Sequence, residues 1–253
     1  MAKTFYYDSV GLAEATITAG TFTVSGGAFS ASSSAITNEH RINDQSIAKA
    51  VSSFDDEDMI RINLGSAQTV TRILKYNNQA DSDDLWWYQS TSSTNATTDG
   101  GLWQFDFDTP LGWDLISGTE KTMQYWYIRS EDATFAGLSE VIMGVPLEFE
   151  NEPDIGSSTQ EVFNTDINTS YGGIEYANKR HNPVSTWTFN FKNISQTFKD
   201  KLVSFEQSVT DYKKFVYYDD TNYNYVRLEA PINFVEVAHQ RYSASIKLRE
   251  QLS

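Results

Sequence analysis

A mainly β chain in two parts is what this sequence predicts: an N-terminal jelly-roll β-sandwich, then a C-terminal α+β domain with an antiparallel sheet and one helix. Three observations carry that expectation. Clusters of Gly, Ser, Thr and Asn recur about every ten residues with short β-branched or aromatic runs between them, the rhythm of a sandwich or barrel. The pattern changes character near residue 145, beyond which Trp187 stands alone while Trp86, Trp87, Trp103, Trp113 and Trp126 precede it. And the stretch after Ser195 has helical rather than alternating periodicity.

In the first part the strands are expected at Ala15–Ile17, Thr21–Val24, Met59–Asn63, Val70–Tyr76, Trp103–Phe107, Met123–Arg129 and Glu140–Met143. Thr21 to Val24 alternates cleanly, so one face is buried and the other wet. The run Gln89–Gly101, QSTSSTNATTDGG, is polar throughout and reads as a long exposed loop. Glu148 to Asp154 is charged and contains Pro153. The expected division is therefore a jelly roll over 1–145, a linker over 146–154 and a second domain over 155–253.

In that second domain Trp187, Phe189 and Phe191 share one face of an alternating strand. Ser195 has the chemistry of a helix N-cap, and Phe198, Leu202, Phe205 and Val209 follow at spacings of four, three and four, an apolar helix stripe. Phe215–Tyr218 and Tyr225–Leu228 flank Asp219-Asp220-Thr221-Asn222 as a hairpin. Ser243–Leu248 closes the unit with Ala244, Ile246 and Leu248 on one side. The fold expected is one helix on an antiparallel sheet, with no internal repeat.

The 253 residues hold no cysteine, which removes disulfides, thiolate metal sites and cysteine nucleophiles together. No apolar run approaches the ~20 residues of a membrane span, and the first eight residues lack the apolar core of a signal peptide. The expectation is a soluble protein made in a cytoplasm, without membrane insertion. Net charge is −15, with 8 basic and 19 acidic residues in 1–145 and 11 and 15 in 146–253. Neither half has the basic face that phosphate neutralisation requires, so no nucleic-acid partner is expected.

Little in the chain frames chemistry. His40, His181 and His239 sit in no metal-binding spacing and read as solvated loop residues. No GxSxG elbow and no phosphate-cradling Gly loop is present, and the chain is expected not to be an enzyme, with no catalytic residues. No cofactor is expected. Asp55-Asp56-Glu57-Asp58 and Asp81-Ser82-Asp83-Asp84 are rich in the hard oxygens calcium takes, but neither follows the twelve-residue calcium loop. Solvated loops account for them better, and calcium stays open as the alternative. Trp86-Trp87-Tyr88, just before the polar loop, could stack on a sugar ring, against the reading that such a run is half core and half rim.

Two resemblances refine these expectations. Met59–Ile73, with its strand into Asn63-Leu64-Gly65 and re-entry at Val70, is similar to the strand pair of discoidin-like (factor V/VIII type C, galactose-binding-like) domains. Tyr125-Trp126-Tyr127-Ile128-Arg129 followed by Leu138-Ser139-Glu140-Val141 resembles that family's closing pair. The resemblance covers about residues 40–145 and implies an eight-stranded jelly roll whose end loops often bind glycans or membranes. The family's usual cysteines are missing, and Asn63 replaces its Asp. Tyr171-Gly172-Gly173, Trp187–Phe191, the helix 195–210, Lys214–Tyr218 and Tyr242–Leu248 resemble, in their order, the distal and minor tail proteins of long-tailed bacteriophages, lambda minor tail protein M included.

That second resemblance implies a virion protein of the tail tip or baseplate, assembled in the host cytoplasm as a homo-oligomeric ring (hexamer or trimer) and contacting tail tube and tail hub proteins. Tyr217, Tyr218, Tyr223 and Tyr225 are the residues expected at subunit interfaces, with hairpin packing as the alternative. A second expectation, from another class, is a carbohydrate-binding adhesin recognising host-surface glycans through Trp86, Trp87 and Tyr88.

Overall fold

The computed structural model describes residues 3–23, 26–31, 36, 38–47, 50–51, 58–78, 85–99, 101–106, 111–130, 137–154, 156–163, 165–179, 182–210 and 212–251. The chain is mainly β, with antiparallel sheets and one α-helix. It divides into two compact units. Phe5–Leu147 form the first, and the chain from Glu148 onward, together with Lys3 and Thr4, forms the second. The expected linker 146–154 is instead built into the fold. Leu147 and Glu148 are strand, Phe149 is buried against Phe189 and Phe191, and Glu150 accepts a hydrogen bond from the Ser195 hydroxyl.

The first unit's strands are β1 (Thr4–Tyr6), β2 (Thr16–Thr23), β3 (Ala28–Ser30), β4 (Asp58–Asn77), β5 (Leu85–Ser90), β6 (Leu102–Asp106), β7 (Gly112–Ser130), β8 (Leu138–Gly144) and β9 (Leu147–Glu148), the outer two marking where the chain passes between units. Strands β2 to β8 make one sheet, in the order β3-β2-β4-β7-β5-β6 with β8 on β4. Two long strands make a sandwich of it. The first half of β4 pairs with β2 and with Tyr125–Arg129 of β7, while its second half pairs with β8 and with Gly112–Ser117. Register shifts between Asn63 and Gln68, and between Val70 and Arg72, turn the ladder over on itself. One core therefore gathers residues from both halves, including Ile60, Ile62, Ile73, Trp87, Trp126, Ile128, Val141 and Met143. Each such buried side chain contributes about 1.5–3 kcal/mol.

Two pairs of expected strands are thus continuous. Of Ala15–Ile17 and Thr21–Val24, all but Ala15, which caps the preceding turn, and Val24, which lies outside the described residues, fall in β2, and Met59–Asn63 and Val70–Tyr76 lie in β4. The turn expected at Leu64-Gly65 is a bulge within the strand, with Gly65 at φ 76° and its N–H on the Asn63 side-chain oxygen at 3.0 Å. Phe107, expected in β6, also falls outside the described residues. Trp103 of β6 donates its indole N–H to the Thr119 carbonyl at 2.8 Å and crosses Trp126 edge-on. Only glycine fits at Gly118, where a Cβ would meet the Trp103 ring at 2.5 Å.

In the second unit come β10 (Ser158–Val162), β11 (Thr165–Thr169), β12 (Glu175–Lys179), β13 (Val184–Ser195), α1 (Gln196–Val209), β14 (Phe215–Tyr218), β15 (Tyr223–Leu228), β16 (Asn233–Ala238) and β17 (Arg241–Glu250). The sheet order is β10-β13-β17-β15-β14. Since Ala244 pairs with both Phe191 and Phe234, β16 lies on the flank of β17 opposite β13. The helix begins where its cap chemistry says: the Ser195 hydroxyl accepts from the Phe198 N–H at 3.1 Å. Phe198, Leu202, Phe205 and Val209 are all buried, with Phe205 edge-on to Phe215 at 5.0 Å. Strands β10, β11, β12 and β16 were not expected from the sequence. Among the described residues, no helix is long and apolar enough to cross a membrane.

Candidate functional site

The aromatic run 85–88 sits on β5, beside β7, and strand alternation splits it. Trp87 points into the sandwich core and is wholly buried, whereas Trp86 and Tyr88 face the opposite side of the sheet. The three residues therefore do not form one platform: Trp87 has no surface to offer a sugar, Tyr88 is nearly covered, and Trp86 is half-buried. Trp86 and Tyr88 stack at 6.2 Å with rings 13° from parallel.

Register brings further residues to this face that sequence reasoning missed. Opposite Trp86 is Arg129, and next to it Met59 and Gly20; opposite Tyr88 is Tyr127, and next to it Arg61 and Thr18. The Arg129 guanidinium lies over the Phe22 ring at 5.3 Å and the Trp86 ring at 6.0 Å, and that of Arg61 over Phe29 at 4.9 Å. Such cation–π contacts contribute about 0.5–1 kcal/mol each at exposed sites and more when desolvated. Gly20 leaves the space that Phe29 takes, since a Cβ there would meet that ring at 2.7 Å. Phe22, Phe29, Met59, Tyr88, Ala96 and Tyr127 form a second small core, separate from that of the sandwich. A signal was present in the sequence: Tyr125, Tyr127 and Arg129 alternate with Trp126 and Ile128.

The polar stretch after β5 is not a free loop. Gln89 and Ser90 are buried in the strand, and Ala96 is wholly buried. The Tyr127 hydroxyl donates to the Ser92 carbonyl at 2.6 Å and Arg61 to the Ser93 carbonyl at 2.7 Å. Backbone bonds Phe29 N–H to Thr94 O and Ala96 N–H to Gly27 O fasten it to β3. Asp99 accepts from both the backbone and the hydroxyl of Thr91, which hold its carboxyl below the usual range. Burial pushes the Tyr127 phenol up to about 12, against the pull of the Arg61 charge. The resulting surface is a tethered loop beside a half-exposed indole and a guanidinium. It can stack a flat or apolar ring face on Trp86 and offer hydrogen bonds from Arg129 and the loop.

The four tyrosines of the β14–β15 hairpin divide likewise. Tyr217 is in the core, against Trp187, Phe189 and Phe149, where burial raises its phenol pKa well above the ordinary value. Tyr225 is also buried, beneath Lys214. Tyr218 and Tyr223 are half-exposed and pair across the hairpin at 4.7 Å. As interface residues, Tyr217 and Tyr225 are thus replaced by core packing. The turn between the strands is held by Asp219, whose carboxylate accepts from the backbone of Asn222 at 2.7 Å and Thr221 at 3.0 Å. Burial alone would raise the Asp219 pKa, but these bonds and the Asn224 amide outweigh it and hold it low.

The acidic cluster 81–84, residues 55–57 of the other cluster, and His181 lie outside the described residues. His40 and His239 are exposed. Among the described residues, no group of three or more His, Cys, Asp or Glu is placed to hold a metal.

No family model and no curated protein matches the chain. Among solved structures it is similar to chitosan-binding module 1 of a chitosanase/glucanase from Paenibacillus sp. IK-5, at 21% identity over 54% of this chain and 98% of that one, with TM-score 0.39. Module 2 of that enzyme, in complex with chitotriose, aligns at 14% identity over 54% of this chain and 99% of that one, with TM-score 0.38. A Ruminococcus gnavus GH29 fucosidase in complex with fucose aligns at 11% identity over 56% of this chain and 27% of that one, with TM-score 0.38. Similarity at this level decides nothing about what this chain binds.

Proposed function

We propose that this chain is a structural component of a bacteriophage tail tip or baseplate, whose C-terminal unit forms a ring at the distal end of the tail and whose N-terminal sandwich is an outward accessory module. The observation that supports this is the pair of bare edges on one sheet. All five residues of β10, at the end of the strand order, are exposed, and so are five of the six in β16, which pairs with β17 as a branch off that order. A strand edge offers a row of N–H and C=O groups for another chain, and soluble monomers blunt such edges with Lys or Pro. Neither β10 (STQEV) nor β16 (NFVEVA) contains either residue; each carries one charged side chain, Glu161 and Glu236, and β16 a register shift after Glu236. Two different edges on one unit suit head-to-tail contacts, which close into rings.

In this reading the neighbours are further copies and the tail tube and tail hub proteins, and the chain resides in the virion. Gold-labelled antibody against the chain, viewed on intact phage by electron microscopy, should decorate the distal end of the tail. Label on no part of the particle sinks the assignment.

A second reading is favoured by the stacked Trp86–Tyr88 pair under Arg129: a carbohydrate-binding adhesin that takes host-surface glycans on the sandwich. A glycan array should then show binding that Trp86→Ala abolishes while the protein stays folded. Binding unchanged in that variant removes this site from consideration.

A further inference from the structure

Residues 163–179 form an arm without a home. Among the described residues, strands β11 and β12 pair only with each other as a two-stranded sheet, in register from Thr165↔Lys179 to Thr169↔Glu175. The turn is well made: the Ser170 N–H donates to the Ile174 carbonyl at 2.8 Å, the Ile174 N–H donates to the Ser170 hydroxyl at 3.0 Å, and Gly173 sits at φ 80°. Yet no described side chain of either strand is covered. A lone two-stranded hairpin is marginal in water and needs a further surface to be stable.

The exposed groups are apolar to an unusual degree. Tyr171 is fully exposed, Phe163 71%, Ile167 63%, Ile174 59% and Tyr176 55%. An aromatic side chain buries about 150–250 Å² when covered, so the set offers on the order of 700 Å². That approaches the ~800 Å² per partner of a standard interface. The residues lie on both faces and at the tip of the hairpin, a form suited to insertion against a neighbour.

Charge selects the neighbour. The chain carries −15 overall, so two copies repel over most of their surfaces. From 163 to 179 the only charged residues are Asp166, Glu175 and Lys179, a balance of −1. The hairpin is where two copies can approach at least electrostatic cost. The same unit also carries an unlike apolar strip on the exposed edge strand β16, with Val235 at 52% and Val237 at 56% exposure.

We propose that the 163–179 hairpin is a docking arm that seats on the β16 edge of a second copy of this chain, head to tail. The proposal rests on the assembly reading above and deepens it by naming the contact. Absence of natural cysteine makes the test clean. Ile174→Cys and Val235→Cys are prepared separately, and both single variants are checked for native circular dichroism. Mixed under mild oxidation at protein concentrations of roughly 100 µM, they should yield disulfide-linked heterodimers. Each alone should yield few crosslinks.

In parallel, the triple variant Ile167→Ser, Ile174→Ser, Tyr176→Ser should stay folded and associate about 100-fold more weakly by sedimentation velocity. Crosslinking of Ile174→Cys with itself but not with Val235→Cys overturns the docking site. Association unchanged in the triple variant overturns the arm. These results leave the tail assignment standing, because that assignment fails only if labelled antibody does not find the chain on virions.

Discussion

The outer sheet face of the N-terminal unit and the hairpin of the C-terminal unit meet the same problem, aromatic residues on β-structure with one side open, and end differently. On the sandwich, Phe22, Phe29, Tyr88 and Tyr127 are drawn into a small core, and the 91–99 stretch is tied across it by Tyr127, Arg61 and backbone bonds to β3. On the hairpin, Phe163, Ile167, Tyr171, Ile174 and Tyr176 stay in water. What separates them is local supply of cover. Residues 91–99 are long enough and polar enough to satisfy their own backbone while reaching over a neighbour. The connection across the hairpin is a tight turn with nothing to spare. A face the chain covers for itself contributes to folding, and a face it leaves bare is available for association.

Mutation of the sandwich core should show the contrast most strongly. Trp126→Ala, at a wholly buried site crossed edge-on by Trp103, should cost about 3–5 kcal/mol and lower Tm by roughly 10 °C. A urea denaturation series that finds a loss under about 1 kcal/mol would break the idea that this side is the self-sufficient one.

At the helix cap, Ser195→Ala removes both the bond to the Phe198 N–H and the hydroxyl given to Glu150. It should cost about 1 kcal/mol, read as a lower denaturant midpoint with an unchanged slope.

Tyr127→Phe unties the 91–99 stretch and should also cost about 1 kcal/mol. It carries a pH signature as well. Tyrosine in the unfolded chain titrates near 10, while burial raises folded Tyr127 to about 12. Between those values the folded state holds a proton that the unfolded state has released. Stability is therefore complete below about pH 10 and declines from there to about pH 12. In Tyr127→Phe that decline should be shallower; an identical alkaline profile in both proteins would assign it elsewhere.

The smallest effect is expected on the hairpin. Ile167→Ser with Tyr176→Ser should leave the unfolding free energy of dilute protein within about 0.5 kcal/mol of wild type. A large loss in thermal or urea unfolding at low concentration would mean that the arm is part of the unit's own core.

Much was legible without coordinates, and its limits have physical causes. The Ser195 cap and the stripe Phe198–Leu202–Phe205–Val209 are local, since a helix satisfies its own backbone and shows its buried face at a fixed spacing. The strand Trp187–Phe191 is legible for a like reason, its alternation being a property of the chain. Continuity of β4 was not legible, because Gly65-Ser66-Ala67 looks like a turn until β7 pairs on both sides of the bulge. Assignment of Trp86, Trp87 and Tyr88 to one site failed on alternation itself, which sends adjacent residues to opposite faces. Tyr217 and Tyr225, expected at subunit interfaces with hairpin packing as the alternative, are buried, and Phe149 from the expected linker packs beside Tyr217.

The sequence by itself determined what depends on neighbours along the chain: a mainly β protein, its one helix with its cap and buried stripe, the hairpin turn at Asp219, and a net charge of −15. Tertiary structure alone decided which aromatics share a face, that a polar stretch becomes a lid over a second core, that Lys3 and Thr4 belong with the distant C-terminal unit, and that one hairpin is left bare. Those outcomes rest on pairing between strands far apart in the chain, and register, unlike periodicity, is a property of two segments that neither one carries alone.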